Sequence, residues 1–543
     1  MNLKRTIFRV GMLAPFCVTT MCTAPKSNTN PNILIIYTDD QGYGDVSALN
    51  PNAKFQTPNI DKLTEESLVF TDGHSSDAVC SPSRYTLLTG RYSWRTSLKK
   101  GVLDADGPCL IENDRMTIAS LLREHGYNTA MVGKWHLQMD FAGTRGKDRD
   151  WSELFTEGPT DHGFDYFFGI PASMNYGVLT YLENDRVLDP PVLWTKKKDN
   201  PNPRSFNRAV SPFDYRMTPP FKEEPGEGRG WIEAAPSFND ELVLETFADK
   251  AVSYINQVAP DAKNGKPFFL YFAMTSPHLP HCTHPDFQGR TNCGNYGDFM
   301  EETDFRIGQV LKALEENGLE DNTLVIFSSD NGAETNYAYW REKYDHWSCM
   351  NFKGGKRDIY EGGHHVPFLM CWPGVIKAGS RVDVPVCQSD FLATIADIIG
   401  TELPDNAGED SYSLMPLISE NAQGEYRSER AVIHHSVSGH FAIRKGKWKL
   451  NLFRGSGGSL KPKFIIPGEG EAPFELYNME IDQGETANLY FEYPEIVEEL
   501  KSEFIKIIKS GRSTPGTPQD FVKDNWEQIN WVFKTDVDKK TNL

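Results

Sequence analysis

Apolar residues along this chain gather into runs of two kinds. The runs Pro31–Tyr37, Thr129–Val132, Lys266–Met274 and Asn322–Phe327 are nearly continuous. This pattern belongs to strands buried on both faces of a parallel sheet. Between them, helical periodicity marks Thr57–Leu63, Met116–Glu124, Asp240–Val258, Tyr296–Asn317 and Phe391–Gly400. Strand alternating with helix through the first three quarters predicts an α/β domain built on a large, mostly parallel sheet flanked by helices. Gly163–Gly169 and Tyr181–Val187 read as short packed segments. The stretch 199–230, rich in Pro, Gly and charge, reads as a long loop facing substrate. Beyond residue 425 the pattern changes. Ala431–His435, Phe441–Arg444 and Lys447–Leu452 are short alternating runs that predict antiparallel strands, and Pro494–Lys509 follows as a helix. The expected organisation is a leader over 1–24, a major domain over 31–425 and a smaller sheet-plus-helix subdomain over 426–543.

The chemistry sits where the apolar runs stop. The first ends in Asp39-Asp40 and the fourth in Asp330-Asn331. Adjacent carboxylates at the end of a buried strand are costly unless something positive neutralises them, and hard oxygen donors suit calcium or magnesium. Solvated acidic turns are the other reading. Lys134 and His136 follow the second run two residues apart, which in extended chain puts both on one face; a surface lysine and a hydrogen-bonded histidine are the alternative. His278 follows the third run between prolines, well placed for acid–base work.

Composition narrows the class. The 543 residues are 39% hydrophobic and 24% charged, with a net charge of −19. No basic stripe offsets that charge, which excludes a nucleic-acid partner. Met1–Ala24 has the basic start and short apolar run of an export leader, too short to span a bilayer. Cleavage after Ala24 releases a soluble periplasmic or extracellular protein. Cleavage before Cys22 leaves a lipid anchor, although Thr-Thr-Met is a poor lipobox. No other segment is apolar and long enough to be transmembrane. Of nine cysteines, Cys282 and Cys293 flank a short loop and could pair, while Cys371 and Cys387 sit in apolar surroundings as thiols.

One stretch organises the rest: Cys80-Ser-Pro-Ser-Arg84, followed by Leu88-Thr-Gly-Arg91. A helix ending at Gly90 puts Cys80 near its N-terminus, where backbone N–H groups favour an anion. A lone cysteine before a helix is by itself more often structural. Cys-x-Pro-Ser-Arg with Leu-Thr-Gly-Arg, however, resembles the complete sulfatase signature, and Asp39-Asp40, Gly133-Lys-Trp-His136, Ser276-Pro-His278, Asp330-Asn331 and Lys356 follow in that family's order. The resemblance spans roughly Asn32 to Gly511. It implies an alkaline phosphatase-like fold, conversion of Cys80 to formylglycine by a separate maturase, and calcium held by Asp39, Asp40, Asp330, Asn331 and residue 80. It implies that Arg84 orients the nucleophile, that Lys134 and Lys356 neutralise sulfate, that His278 with Lys356 protonates the leaving alcohol, and that His136 takes the proton that lets sulfate depart. Sulfatases commonly carry Arg two residues after Glu361-Gly-Gly; here His365 stands there, preceded by His364.

Gly169–Asn175, Tyr181–Val187 and Gly511–Pro515 resemble bacterial sulfatases of the N-acetylgalactosamine-6-sulfatase-like branch. That resemblance implies a sulfated saccharide substrate: galactose or N-acetylgalactosamine, sulfated at the 6-position and cut at a chain end. Asn175 and His365, with Tyr176, Tyr181, Arg186, Trp194, Trp340 and His364, are the expected sugar contacts. The rivals are another sulfated sugar or position, a phosphoester or phosphonate hydrolase of the same superfamily, and a non-catalytic binding protein.

Overall fold

In a computed structural model the chain is described over residues 30–175, 177–196, 200–201, 215–217, 221–226, 230–419, 430–524 and 526–533. The leader with Cys22, Tyr176, most of 199–230 and the boundary at 425 lie outside these residues.

The apolar runs become the centre of one ten-stranded sheet. Its strands are β1 (Asn32–Asp39), β2 (Leu68–Phe70), β3 (Asn128–Lys134), β4 (Tyr166–Ile170), β5 (Leu182–Glu183), β6 (Arg186–Val187), β7 (Phe268–Pro277), β8 (Thr323–Ser329), β9 (Phe368–Cys371) and β10 (Arg381–Val382). They lie in the order β10-β2-β9-β8-β1-β7-β3-β4-β5-β6. The five central strands, β8, β1, β7, β3 and β4, are mutually parallel. The short edges add antiparallel pairs. All β1 residues are buried, because helices cover both faces.

The helices used below are α1 (Pro58–Glu66), α2 (Cys80–Thr89), α3 (Ile118–Glu124), α4 (Val243–Lys263), α5 (Gly294–Glu316), α6 (Tyr337–Tyr344), α7 (Phe391–Ile398) and α8 (Pro494–Ser510). Alternation along β1 feeds two cores. Ile33, Ile35 and Tyr37 pack on the side of α2, α3 and α7, and Leu34 and Ile36 on the side of α1, α4 and α5. The carboxyl ends of β1, β3, β7 and β8 therefore open at one edge, where ligands bind in open α/β sheets.

The four C-terminal strands, β11 (Ala431–His435), β12 (Phe441–Lys445), β13 (Trp448–Asn451) and β14 (Glu475–Asn478), pair antiparallel in sequence order. Helix α8 packs its apolar side on them, and Tyr92 and Trp94 of the first three quarters enter the same core. Among the described residues no disulfide forms. The thiol of Cys282 donates to Asp240 Oδ2 at 3.0 Å.

A buried charge network joins the two sheets. Lys449 of β13 is fully buried. Its Nζ lies 3.0 Å from Glu361 Oε1 and 2.8 Å from Glu485 Oε1, and donates to Ile359 O at 3.0 Å. Burial pushes Glu485 up to about 7, against the pull of Lys449. His74, His364 and His434 fill the space beside this network, with the rings of His364 and His434 stacked 3.7 Å apart. Removing one partner from a buried ionic group strands the others, at a cost of about 3–5 kcal/mol. Lys449→Met should therefore lower the thermal unfolding midpoint by several degrees, read by calorimetry. An unchanged midpoint would show that Glu361 and Glu485 do not depend on it.

Candidate active site

Cys80 is the first residue of α2 and is 1% exposed. The chain before it is pinned from three directions. Asp77 Oδ1 meets His435 Nδ1 at 3.0 Å, Ala78 N–H donates to His435 O at 3.0 Å, and Arg357 N–H donates to Ala78 O at 2.7 Å. Helix α2 ends as its sequence predicts, at Gly90 with φ of 62°, a left-handed cap that glycine adopts without strain. Burial raises the Cys80 thiol above its ordinary range.

Beneath Cys80 lie the ends of β1 and β8. Arg84, one turn along α2, donates to Asp330 Oδ2 through Nε at 3.0 Å and Nη2 at 2.7 Å, and to Lys134 O at 3.0 Å. Lys134, at the end of β3, donates to Asp39 Oδ2 at 2.6 Å. Gly133 makes this approach possible: a Cβ there would stand 1.8 Å from Ala273 O of the neighbouring strand. Lys356 reaches Asp40 at 2.6 Å. Asp40 takes a left-handed φ of 69° and its N–H donates to Asp330 Oδ1 at 3.1 Å. Burial opposes the Asp40 charge, but Lys356 and then His278 outweigh it and hold its carboxyl below the usual range. Burial, with Asp39 beside it, pushes Asp330 up to about 6 in spite of Arg84.

Two oxygens in this cluster lack donors. Asp39 Oδ1 and Asn331 Oδ1 are buried with no hydrogen-bond partner. Ligand atoms of Asp39, Cys80 and Asp330 lie within 4.8 Å of one another, as do those of Asp39, Asp40 and His278. Orphaned acceptors among three carboxylates suit a hard divalent cation, so the residues fit one. His74, His364 and His434 also converge within that limit. The rings of His364 and His434 stack 3.7 Å apart, and the Lys449 ammonium stands 3.2 Å from His364 Nε2. The Lys449 ammonium beside that cluster disfavours a further cation on it.

The histidines differ from expectation in one respect. β3 stops at Lys134, and His136 has φ of 61°, so the two are not neighbours on an extended face. The turn aims His136 separately. Its N–H donates to Pro171 O at 2.9 Å and its Nε2 lies 3.0 Å from Leu103 O. Burial, then Lys134 and Arg84, push its pKa well below the ordinary value. The neutral ring with Nε2 donating leaves Nδ1 as the acceptor nitrogen. His278 donates Nδ1 to Leu279 O at 2.6 Å and sets Nε2 3.7 Å from Asp40 Oδ2. Burial and Lys356 push it down to about 3.

A cleft of about 410 Å³ opens above this cluster, lined by Cys80, His278, Lys356 and Asn175. Glu334, Asn336 and Arg357, which sequence patterns did not single out, stand in its wall, as do Val437 and Ser459 of the C-terminal part. Their only signal was proximity to Asn331 and Lys356. His365 is not brought here. It lines another cleft, of about 640 Å³, with Nδ1 3.1 Å from Glu361 and Nε2 3.0 Å from Thr71 O. Its ring stacks on Phe352 at 4.1 Å. Trp340 is buried against Tyr296 at 3.5 Å, and Tyr181 stacks on Phe168 at 5.4 Å. His364 is fully buried, and Arg186 is exposed on the β5–β6 hairpin. Neither these residues nor Trp194 line the Cys80 cleft.

Residues 31–401 match the sulfatase family model. The chain belongs to the sulfatase family. It is a sulfuric ester hydrolase. Residues 353–510 also match a model described as N-sulphoglucosamine sulphohydrolase, C-terminal. The sulfatase is 30% identical over 507 residues to an N-acetylgalactosamine-6-O-sulfatase of Bacteroides thetaiotaomicron, covering 89% of this chain and 94% of that one. It is 31% identical over 495 residues to arylsulfatase A of Bos taurus, covering 88% and 86%. A protein solved in a study of the metabolism of multiple glycosaminoglycans by Bacteroides thetaiotaomicron superposes with a TM-score of 0.74 at 28% identity, over 88% of this chain and 99% of that one. The alkaline phosphatase-like fold expected from the resemblance is the fold observed.

Because His365 lies outside the Cys80 cleft, His365→Ala should lower kcat/KM per folded molecule far less in this sulfatase than Lys356→Ala does. Steady-state kinetics on any sulfate ester it turns over will decide this. A large fall in kcat with an unaltered melting curve would bring His365 back to the chemistry.

Proposed function

We propose that this sulfatase removes sulfate esters from glycans, with residue 80 in its formylglycine form as the nucleophile. The observation that supports it most directly is the convergence of Cys80 with three buried carboxylates and three buried cations at the strand ends. The likeness in sequence to an N-acetylgalactosamine-6-O-sulfatase supports 6-sulfated galactose or N-acetylgalactosamine at a chain end as substrate. The leader supports export, and among the described residues no helix is long and apolar enough to cross a membrane.

Formylglycine supplies a hydrated aldehyde whose oxygen attacks sulfur. Arg84, fixed by Asp330, sits one turn from residue 80 and orients it. Lys134 and Lys356 bring positive charge to the sulfate oxygens as charge redistributes. His278 with Lys356 delivers a proton to the departing alcohol. A neutral His278 beside an ammonium is poor at holding a proton, but an arriving sulfate anion shifts that balance toward the protonated ring. His136, with Nδ1 as its acceptor, takes the proton whose loss releases sulfate and restores the aldehyde. Asp39, Asp40, Asp330 and Asn331 would hold calcium together with residue 80. Bound there, it would add positive charge where the sulfate and the nucleophile meet.

Two measurements test this reading. Co-expressed with a formylglycine-generating enzyme, the peptide bearing residue 80 should be about 18 Da lighter than its cysteine form, and Cys80→Ala should lose turnover by several orders of magnitude while keeping its melting curve. Substantial activity in purified Cys80→Ala would end the proposal. Chelation should lower activity, and calcium should restore it better than zinc; stoichiometric zinc without calcium in elemental analysis would contradict the cation assignment.

A further inference from the structure

Lys356 brings an ammonium to the 410 Å³ cleft, beside a wall of charged and polar side chains. Arg357 and Glu334 stand there as an ion pair, with Nη2 3.0 Å from Oε2, so their charges largely cancel. Asn336 stands beside them. It is 3% exposed, and neither its Oδ1 nor its Nδ2 has a hydrogen-bond partner in the protein. It immediately precedes α6, where an Asn carboxamide ordinarily accepts a backbone N–H and caps the helix, yet it makes no such bond. A buried carboxamide that bonds neither to its own helix nor to a neighbour destabilises the fold. The cleft it lines is where a partner can come from.

We propose that Asn336 is a specificity-determining residue that reads the hydroxyls of the sugar ring carrying the sulfate. A turn of the side chain toward the cleft lets Oδ1 accept from one ring hydroxyl and Nδ2 donate to a neighbouring oxygen, while the sulfate lies on Lys356. One side chain that offers a donor and an acceptor without net charge suits a neutral, hydroxylated ring. It gives nothing to an aromatic sulfate, which has no hydroxyl to present. The assignment rests on the reading of this enzyme as a glycan sulfatase. Sites built to bond a substrate hydroxyl reject analogues that lack it, because their own buried polar groups are then left unmet.

The test compares the mature wild-type enzyme with Asn336→Ala and Asn336→Leu on 6-sulfated N-acetylgalactosamine, 6-sulfated galactose and nitrophenyl sulfate. Because the Asn336 side chain makes no hydrogen bond within the protein, Asn336→Leu should melt at or above the wild-type temperature, which separates recognition from folding. On the sugar sulfates kcat/KM should fall about 10- to 100-fold. On nitrophenyl sulfate the fall should be at least tenfold smaller. Monodeoxy sugar sulfates should be poor substrates for the wild type, and the one lacking the hydroxyl that Asn336 reads should lose little more in the variants. Equal losses on sugar and aryl sulfates, or no loss on the sugars, would overturn the role of Asn336 and leave the glycan reading standing. A wild-type enzyme that cleaves only aryl sulfates would overturn both.

Discussion

Three carboxylates are buried at the ends of two adjacent strands, and the rest of this structure answers to them. Asp39, Asp40 and Asp330 are at most 1% exposed. An isolated carboxylate in such a place would take up a proton or unfold its surroundings. Each instead has a cation: Lys134 on Asp39, Lys356 on Asp40 and Arg84 on Asp330. The three cations come from β3, from the loop beyond α6 and from α2, so the packing of distant segments is tied to this charge balance. The balance is full but the hydrogen bonding is not. Asp39 Oδ1 and Asn331 Oδ1 remain without donors, and a cation is the partner that oxygens of this kind accept.

The position of Cys80 follows from the same balance. Cys80 and Arg84 are four residues apart on one helix and so share a face. Arg84 is locked to Asp330 by two bonds. Locking it fixes the rotation and height of α2 and sets Cys80 directly over the carboxylates. The spacing in Cys-x-Pro-Ser-Arg is thus a geometric statement. A spacing of five would turn the sulfur away from the floor of the cleft.

Much of this was legible in the sequence, for local reasons. Continuous apolar runs ending in Asp, Lys or His mark buried strands and what stands at their ends, and Gly90 marks the end of α2. The arrangement of His136 was not legible, because an i, i+2 spacing assumes extended chain and the positive φ of His136 is imposed by its bonds to Pro171 and Leu103. His365 follows a glycine pair that turns the chain toward Thr71 and Glu361, and nothing local says which of two clefts it will meet. The expected sugar-stacking aromatics Tyr181 and Trp340 went to the core, where burial of a large ring outweighs its use at a surface. Asn336 carries no motif. Only its missing partners distinguish it, and missing partners are visible only in three dimensions.

The smaller sheet is part of the Cys80 site and not an appendage. His435 of β11 accepts the Ala78 N–H through its carbonyl and holds Asp77 through its ring, two and three residues before Cys80. Val437 and Ser459 complete the wall of the cleft. The strand that carries His435 is paired to β12, and β12 to β13, whose Lys449 is buried between Glu361 and Glu485. Glu361 opens the turn that leads to His364 and His365, five residues after Lys356. The junction network and the floor of the cleft are therefore two ends of one short segment, residues 356–365. Charge balance at the junction fixes that segment from one side, and the Lys356–Asp40 pair fixes it from the other. A shift at either end would move the Lys356 ammonium in the cleft.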